Sequence, residues 1–324
     1  MAESFSDRIL ALPVGEHVEV QAPTTKRSRR GAVAWLESMA ARASIRMGVL
    51  LPGVLRDVWI KLLAALGRKL DRRHSLAARD FIQSALPEAS PERVEELVSS
   101  AWRHFPRVAI ESAELSRMVG QRLGDFFDVE SCEGLDEVLA AEKGAMVVTA
   151  HVGTWEALSL PLETIGFSPF HAVAKPPRNV FLADHMCRQR QASGALMIPR
   201  KGAMQAVPQV VRAGGSVLML LDHRASKKPI VAPFFGRRAA CDRSAGVLVR
   251  RVKAPLVFAA CYRQEGPRPY RIVFSRVVLP EEFDGLDASQ VMELVNRESE
   301  RLILACPEQY FWLHDRYKGL PRVL

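Results

Sequence analysis

The sequence predicts an α/β fold in which a central, mainly parallel sheet is flanked by helices and preceded by a helical N-terminal layer. From residue 32 to about residue 125 the apolar residues recur at helical spacing, whereas after residue 140 short apolar runs suited to buried strands alternate with helical stretches. The chain has 324 residues, of which 48% are hydrophobic, so it can bury one large core or two modest ones.

The first 125 residues divide into an arm and a helical region. Residues 1–31 carry proline, threonine and basic residues without periodicity, which predicts a mobile basic arm. Residues 32–125 are predicted to be helical and to associate with a membrane. Within them, Ser90 and Pro91 are typical of a helix start, and apolar residues follow at helical spacing as far as Phe105. We expect neighbouring helices over 76–86 and from Pro106 onward.

Residues 126–324 are predicted to form an α/β domain. Its strands are expected where apolar residues run together, at 145–150, 170–174, 216–221, 255–262 and 270–278. Helical stretches are expected near 155–165, 179–193, 201–213, 241–252 and 288–304. Pro208 should kink or split the third of these helices, because proline donates no backbone hydrogen bond.

The balance of 45 basic and 36 acidic residues gives a net charge of +9, which favours polyanionic partners. Nucleic acid, an anionic membrane surface and an acidic carrier protein all fit that charge. We predict no nucleic-acid partner, because no basic stripe is interleaved with stacking aromatic residues. The five cysteines are odd in number and lack C-x-x-C spacing, so we expect reduced thiols and no zinc or redox motif.

Two features bear on location. The sequence begins MAESFSDRIL, where acidic residues come at once, so we predict no secretory signal and expect the catalytic part to stay inside the cell. A transmembrane helix needs about 20 apolar residues with few charges, and the apolar segment over 35–66 is interrupted by Glu37, Arg42, Arg46, Arg56, Asp57 and Lys61.

The longest uncharged stretch in that segment, 47–55, suits a helix that lies on a bilayer while its basic residues reach the headgroups. A helix packed on the domain fits the pattern about equally well. The helix on an anionic membrane surface is slightly favoured by an upstream basic cluster, which consists of Lys26, Arg27, Arg29 and Arg30.

The candidate catalytic residues follow the strand predicted over 145–150. That strand stops at His151, and ligand sites in open α/β sheets lie at the carboxyl ends of strands. Gly153 permits a tight turn, and Glu156 could reach back to a ring nitrogen of His151. Such a carboxylate would stabilise the imidazolium, which suits the pair to removing a proton from a hydroxyl. Because H-x4-E is a short pattern, a structural role for His151 is the plain alternative.

Motifs over residues 145–320 place this histidine in a wider pattern. H-x-G-x-W-E is matched at His151, Gly153, Trp155 and Glu156, and R-x3-G at Arg190 and Gly194. A strand ending in Asp222 is followed by P-F-F-G at 233–236. W-x-H-x-R-aromatic-K is matched at Trp312, His314, Arg316, Tyr317 and Lys318. In this order the motifs resemble those of the bacterial lipid A late acyltransferases, within the lysophospholipid acyltransferase superfamily.

The resemblance implies an acyltransferase-like fold, with residues 126–324 as the catalytic domain of an O-acyltransferase. It implies that a fatty acyl group passes from a thioester of acyl carrier protein or coenzyme A to a hydroxyl of a membrane glycolipid similar to a lipid A precursor. The enzyme would be peripheral, on the cytoplasmic face of the bacterial inner membrane. No metal or other cofactor is implied.

The resemblance also implies residue roles. His151 would be the general base and Glu156 its carboxylate partner, while Arg190 would stabilise the oxyanion or hold a phosphate. The residues implied in substrate contact are Arg188, Trp155, Asp222, Phe234, Phe235 and Gly236. Alternatively, Asp222 could position a loop, 233–236 could pack a turn against an acyl tunnel, and His314 with Arg316 could plug the core.

The chain departs from the family pattern where substrate would be held. His223 and Arg224 stand where the family commonly has an acidic, glutamine-containing cluster, and Cys241 stands where threonine is common. The missing membrane span is a third departure. These differences indicate an acceptor unlike the usual lipid A precursor.

Two other functions fit parts of the pattern. One is a hydrolase or thioesterase that uses the same His–Glu pair on water, and the other is a non-catalytic binder of lipid or carrier protein. The presence of both His151 and Glu156 argues against the binder. No G-x-S-x-G nucleophile is present, so acyl transfer would need no covalent acyl-enzyme.

Overall fold

A computed structural model describes residues 28–141, 143–191 and 196–320, and it confirms the predicted α/β fold. Most of the arm predicted over 1–31, including Lys26 and Arg27, lies outside the described residues, as does Gly194. The fold consists of an N-terminal helical layer, a mostly parallel sheet with helices on both faces, and a separate β-hairpin.

Four helices form the N-terminal layer in the described part of the chain: α1 (Ala32–Leu50), α2 (Gly53–Leu70), α3 (Arg72–Ala85) and α4 (Pro91–Glu114). As predicted, α4 begins after Ser90, whose side chain accepts a hydrogen bond from the N–H of Arg93. The prediction of a new helix at Pro106 is wrong, because α4 continues through it. Contacts of α1, α2 and α3 along α4 offset the one hydrogen bond that this proline cannot donate.

The central sheet has seven strands within the described ranges. Their bounds are β1 Phe127–Glu130, β2 Met146–Thr149, β3 Phe170–Ala174, β4 Leu196–Pro199, β5 Ser216–Leu220, β8 Leu256–Arg263 and β9 Tyr270–Val278. The strands lie in the order β1-β9-β8-β2-β5-β3-β4, and all neighbours are parallel except β8 and β9. The hairpin is formed by β6 (Ile230–Phe234) and β7 (Arg237–Cys241).

The five predicted strands are all present, as β2, β3, β5, β8 and β9. The sequence did not predict β1, β4, β6 or β7. Charged residues interrupt the short strands β1 and β7, and β4 and β6 each contain a proline, which argues against a strand in a sequence, so none of the four gives a clear strand pattern.

The helices after the N-terminal layer are α5 Leu135–Ala140, α6 Ser159–Ile165, α7 Val180–Gln191, α8 Ala203–Arg212, α9 Arg243–Val252, α10 Pro280–Phe283 and α11 Ala288–Ala305. The sequence predicted that Pro208 would either kink or split its helix. Pro208 lies inside α8, which is continuous, so the helix is not split. The carbonyl of Met204, which a non-proline residue at 208 would bond, instead accepts a hydrogen bond from Nη1 of Arg251 at 3.4 Å.

The core is divided by the sheet into two clusters. Side chains alternate along β2, so Met146 and Val148 belong to one cluster and Val147 to the other. The first cluster also contains Leu97 and Ala101 of α4. The N-terminal layer therefore shares its core with the α/β part.

The two first helices present a large apolar surface that nothing in the described residues covers. We call it the α1–α2 face, and its most exposed members are Val33, Leu36, Leu50, Val54, Leu62 and Leu70. Few side chains of these helices are buried. Among the described residues, no helix combines the length and hydropathy that crossing a membrane requires.

Candidate active site

The parallel pairing of β2 with β5 brings His151 and Asp222 together. Thr149 and Leu220 are partners in that register, so the residues that follow them leave the sheet at the same edge. Nδ1 of His151 lies 2.7 Å from Oδ1 of Asp222, and the backbone N–H of His151 donates to Oδ2 at 3.0 Å. The carboxylate therefore fixes both the ring and the main chain of His151.

Asp222 is fully surrounded by protein, and this determines which nitrogen of His151 carries the hydrogen. Burial by itself would raise the pKa of Asp222, but the charge and hydrogen bonds of His151 lower that pKa well below its ordinary value. An ionised carboxylate only accepts hydrogen bonds, so Nδ1 must donate. Nε2 is then the nitrogen that can accept a proton.

The prediction that Glu156 pairs with the His151 ring is wrong. Its carboxylate accepts two hydrogen bonds from Arg190, from Nε at 2.8 Å and from Nη2 at 2.6 Å, and a third from the Trp155 indole at 3.2 Å. Helix α6 begins only at Ser159, so Glu156 lies in the preceding turns and not in a helical turn facing the ring.

The Glu156–Arg190 pair is charged on both sides. Burial would raise the pKa of Glu156, but the guanidinium outweighs this effect and the net pKa is lowered. Burial would likewise lower the pKa of Arg190, yet the carboxylate raises it overall. Neither group exchanges its proton near neutral pH, so the pair acts as a fixed electrostatic element.

A cavity of about 500 Å³ lies beside His151. Its polar lining includes Trp155, Glu156, Arg190 and His223, and the Trp155 ring contacts the His151 ring edge to face at 5.1 Å. Its apolar lining comes from β3, β4, β5, α8 and α9, with Val173, Met197, Met204, Leu218, Leu220 and Leu248. The cavity thus joins a proton acceptor to a hydrocarbon-lined space.

Gly153 is required by the turn after His151. Its φ is +61°, and a Cβ added there would lie 2.0 Å from the carbonyl oxygen of Cys261. The N–H groups of Gly153 and Thr154 donate to the carbonyls of Gln309 and Cys261 at 2.8 and 2.7 Å. The sequence predicted the tight turn, but it could not show how closely the neighbouring backbone approaches.

A buried polar network supports this turn from the N-terminal layer. The Thr154 hydroxyl donates to Glu111 of α4 at 2.7 Å, and Arg263 donates to both Glu111 and Nδ1 of His104. Burial lowers the pKa of His104 well below its ordinary value, so the ring accepts this bond as a neutral imidazole. The ring of His104 packs against Trp155 at 5.6 Å, which places α4 directly behind the cavity wall.

Several residues that were expected to contact substrate lie elsewhere. Arg188 is exposed on α7 and pairs with Asp184, and it does not line the cavity. Phe234 and Phe235 belong to the core, where both rings pack against Phe81.

Gly236 is the second residue of the two-residue turn between β6 and β7. Phe235 and Gly236 both have positive φ, as the tight hairpin turn requires. The P-F-F-G motif therefore builds a hairpin packed on the core, because its aromatic side chains belong to the core cluster and not to the cavity lining.

The aromatic C-terminal motif is part of the site's framework. Nε2 of His314 accepts a hydrogen bond from the N–H of Arg224 at 2.8 Å, and buried Arg316 donates to the carbonyl of Ala240. Burial lowers the pKa of His314 to about 3, which keeps Nε2 an acceptor. This arrangement resembles the plug that the sequence suggested, and it also holds the loop after Asp222.

Two residues at the site were not assigned a role from the sequence. The ring of His223 lies 4.0 Å from that of His151; although solvent reaches it from the cavity, protein surrounds its other sides, and this desolvation lowers its pKa to about 4. Tyr310 donates its hydroxyl hydrogen to Oδ2 of Asp222 at 3.1 Å. In the sequence, only their position next to motif residues could have indicated a role at the site. His223 follows Asp222, and Tyr310 precedes Trp312 by two residues.

Comparison with known proteins identifies a family. The family model described as bacterial lipid A biosynthesis acyltransferase matches residues 23–319. The chain is 25% identical over 264 residues to the lipid A biosynthesis palmitoleoyltransferase of Escherichia coli (strain K12), covering 80% of this chain and 83% of that protein. The lipid A biosynthesis acyltransferase of Shigella flexneri gives the same values. The lipid A biosynthesis lauroyltransferase of E. coli (strain K12) is 24% identical over 257 residues, with 78% and 82% covered.

Proposed function

The chain belongs to the bacterial lipid A biosynthesis acyltransferase family, and from that membership we propose that it moves a fatty acyl group from a thioester to a hydroxyl of a membrane glycolipid, with His151 as the general base. The observation that carries the proposal is the His151–Asp222 pair beside an apolar cavity. A proton acceptor fixed by an ionised carboxylate is what activation of a hydroxyl needs.

In the proposed reaction, Nε2 of His151 takes the hydroxyl proton while the acceptor oxygen attacks the thioester carbonyl. A C–O bond forms, the C–S bond breaks as the tetrahedral intermediate collapses, and the imidazolium returns its proton to the departing thiolate. Asp222 stabilises the imidazolium between these steps. The fixed positive charge of Arg190 at the cavity lining supports a role in stabilising the oxyanion.

The acyl donor is proposed to be acyl carrier protein or acyl-coenzyme A. Both carry phosphate or acidic groups, and the cavity lining contains three further cations, Lys175, Arg200 and Arg224. Arg200 is paired with Asp242 at 2.6 Å, whereas Lys175 and Arg224 have no carboxylate within 4.0 Å among the described residues. A cationic lining supports recognition of anionic groups on either substrate.

The decisive experiment replaces His151 with alanine in the full chain. Acyl transfer from each thioester to glycolipid acceptors, followed by mass spectrometry, should fall at least about 100-fold. His74→Ala is the matched control, because His74 also pairs through Nδ1 with an aspartate, Asp71, but on the surface of α3. A folded His151→Ala protein that turns over as fast as His74→Ala would refute the proposed base.

The same assay separates transfer from hydrolysis. A transferase consumes thioester only when a glycolipid acceptor is present, whereas a thioesterase that uses His151 on water consumes it without acceptor. Equal rates of thioester loss with and without acceptor would favour the hydrolase.

We further propose that the enzyme is peripheral at the cytoplasmic face of the inner membrane and docks through the α1–α2 face. Leu50 and Val54, at the corner between the two helices, are 67% and 79% exposed. Replacing both with glutamine should weaken sedimentation with anionic phospholipid vesicles by roughly 10-fold. Replacing exposed Leu279 and Leu304, which lie outside these helices, is the matched control; equal binding by both double variants would contradict this docking face.

A further inference from the structure

Tyr310 contacts the proposed catalytic pair and is not part of the cavity lining. Its hydroxyl donates to Oδ2 of Asp222 at 3.1 Å, the same oxygen that accepts the backbone N–H of His151. Oδ1 is thereby left to the imidazole. Each oxygen of the carboxylate has its own donors, and this division sets the plane of the carboxylate relative to the ring.

The backbone around Tyr310 is held against the loop that carries His151. Tyr310 and Val152 form an antiparallel bridge, and the N–H of Phe311 donates to the carbonyl of His151 at 3.0 Å. The ring of Tyr310 is buried and packs edge to face against Phe81 and Trp312. The hydroxyl therefore has little freedom to follow Asp222 if that carboxylate rotates.

Tyr310 remains a donor at every working pH. Burial, together with the negative charge of Asp222, raises the pKa of its hydroxyl well above the ordinary value. A neutral donor to a buried carboxylate withdraws some of the negative charge that would otherwise act on the imidazole.

We propose that Tyr310 is a positioning residue for acyl transfer, whose hydroxyl orients the Asp222 carboxylate and limits the charge that it presents to His151. This inference rests on the proposed function. It assigns to the C-terminal segment a part in the chemistry, in addition to closing the core.

The experiment is Tyr310→Phe in the full chain, which keeps the ring and removes only the hydroxyl. Asp222 then presents more negative charge, so the pH midpoint at which His151 takes up a proton should rise by roughly half a unit or more. NMR of labelled histidine rings measures this midpoint. The His151 signal is identified by its loss in His151→Gln. In the transfer assay kcat should fall about 10-fold with little change in KM.

Four other ionisable groups interact electrostatically with His151, namely His104, Glu156, His223 and His314, and all four are unchanged in this variant. The matched control loses an equally buried tyrosine hydroxyl elsewhere. Tyr262 donates to the carbonyl of Leu302 at 2.6 Å. Tyr262→Phe should leave the His151 midpoint and kcat unchanged.

A second variant moves the signal in the opposite direction. Tyr310→3-fluorotyrosine keeps every contact and donates more strongly, so the His151 midpoint should fall. If Tyr310→Phe and the fluorinated variant both titrate like the wild type, Tyr310 is only structural and the inference is overturned. If the wild type transfers no acyl group, the proposed function fails, while the NMR titration still decides whether Tyr310 acts on His151.

Discussion

Two carboxylates near the cavity perform different tasks: Glu156 lines the cavity, whereas Asp222 is buried and reaches it only through His151. Asp222 holds an imidazole, a partner whose other ring nitrogen can accept a proton. Glu156 holds a guanidinium, which keeps its proton. The basic group that pairs with the carboxylate therefore decides what a buried ion pair can do. An imidazole allows proton transfer, whereas a guanidinium only contributes a fixed positive charge.

Asp222→Asn should have the largest effect on activity. The amide cannot stabilise an imidazolium, and its NH₂ group can donate to Nδ1 and force the hydrogen onto Nε2, so kcat should fall roughly 1,000-fold. Circular dichroism and acyl-transfer rates would be compared with Asp80→Asn, whose carboxylate pairs with Arg237 outside the cavity. A loss of less than 10-fold would remove Asp222 from the mechanism.

Glu156→Gln should instead show its main effect on stability. It leaves the guanidinium of Arg190 poorly compensated in a site that is only partly exposed, and we expect unfolding to become easier by about 2–3 kcal/mol. Because the folded state lowers the pKa of Glu156, the wild type loses this stabilisation as the pH falls below the ordinary value of 4.5, and the variant does not.

Urea unfolding at several pH values would measure this effect, with Glu298→Gln as the control. Glu298 is also a buried carboxylate bonded to arginine, but it lies on α11 away from the cavity. If Glu156→Gln were as inactive as Asp222→Asn while unfolding like the wild type, the result would support the predicted role of Glu156 as the carboxylate partner of His151.

Arg190→Lys should have the smallest effect on stability and a moderate effect on rate. Lysine keeps the charge opposite Glu156 but cannot form two parallel hydrogen bonds, so we expect a loss of about 1 kcal/mol in stability and about 10-fold in kcat/KM. A change in kcat alone would indicate oxyanion stabilisation, and a change in KM alone would indicate binding of a headgroup. Arg188→Lys, two residues earlier and paired on the surface, should behave like the wild type.

The sequence predicted what is local in this molecule. The strand that ends at His151, the turn at Gly153 and the start of α4 at Ser90 each depend on neighbours in the chain. It could not predict that Asp222 reaches His151 across 71 residues, because the adjacency of β2 and β5 is a property of strand order and β3 and β4 intervene in the sequence.

Sequence also failed where packing overrides local preference. Pro106 and Pro208 are ordinary signals for a helix break, yet both lie within continuous helices whose neighbours compensate. The aromatic pair Phe234 and Phe235 looked suited to an acyl chain, but the same hydrophobicity drives it into the core against Phe81. Hydrophobic character alone cannot distinguish a binding wall from a packed interior.

The pairing of residue 310 with the loop after β2 also orders events during translation. His151 leaves the ribosome first, Asp222 follows 71 residues later, and Tyr310 a further 88 residues after that. A nascent chain can thus bring the histidine and the aspartate together before the tyrosine exists. Only a chain synthesised past residue 310 contains all three, so the carboxylate of Asp222 receives its full set of hydrogen bonds only near the end of synthesis.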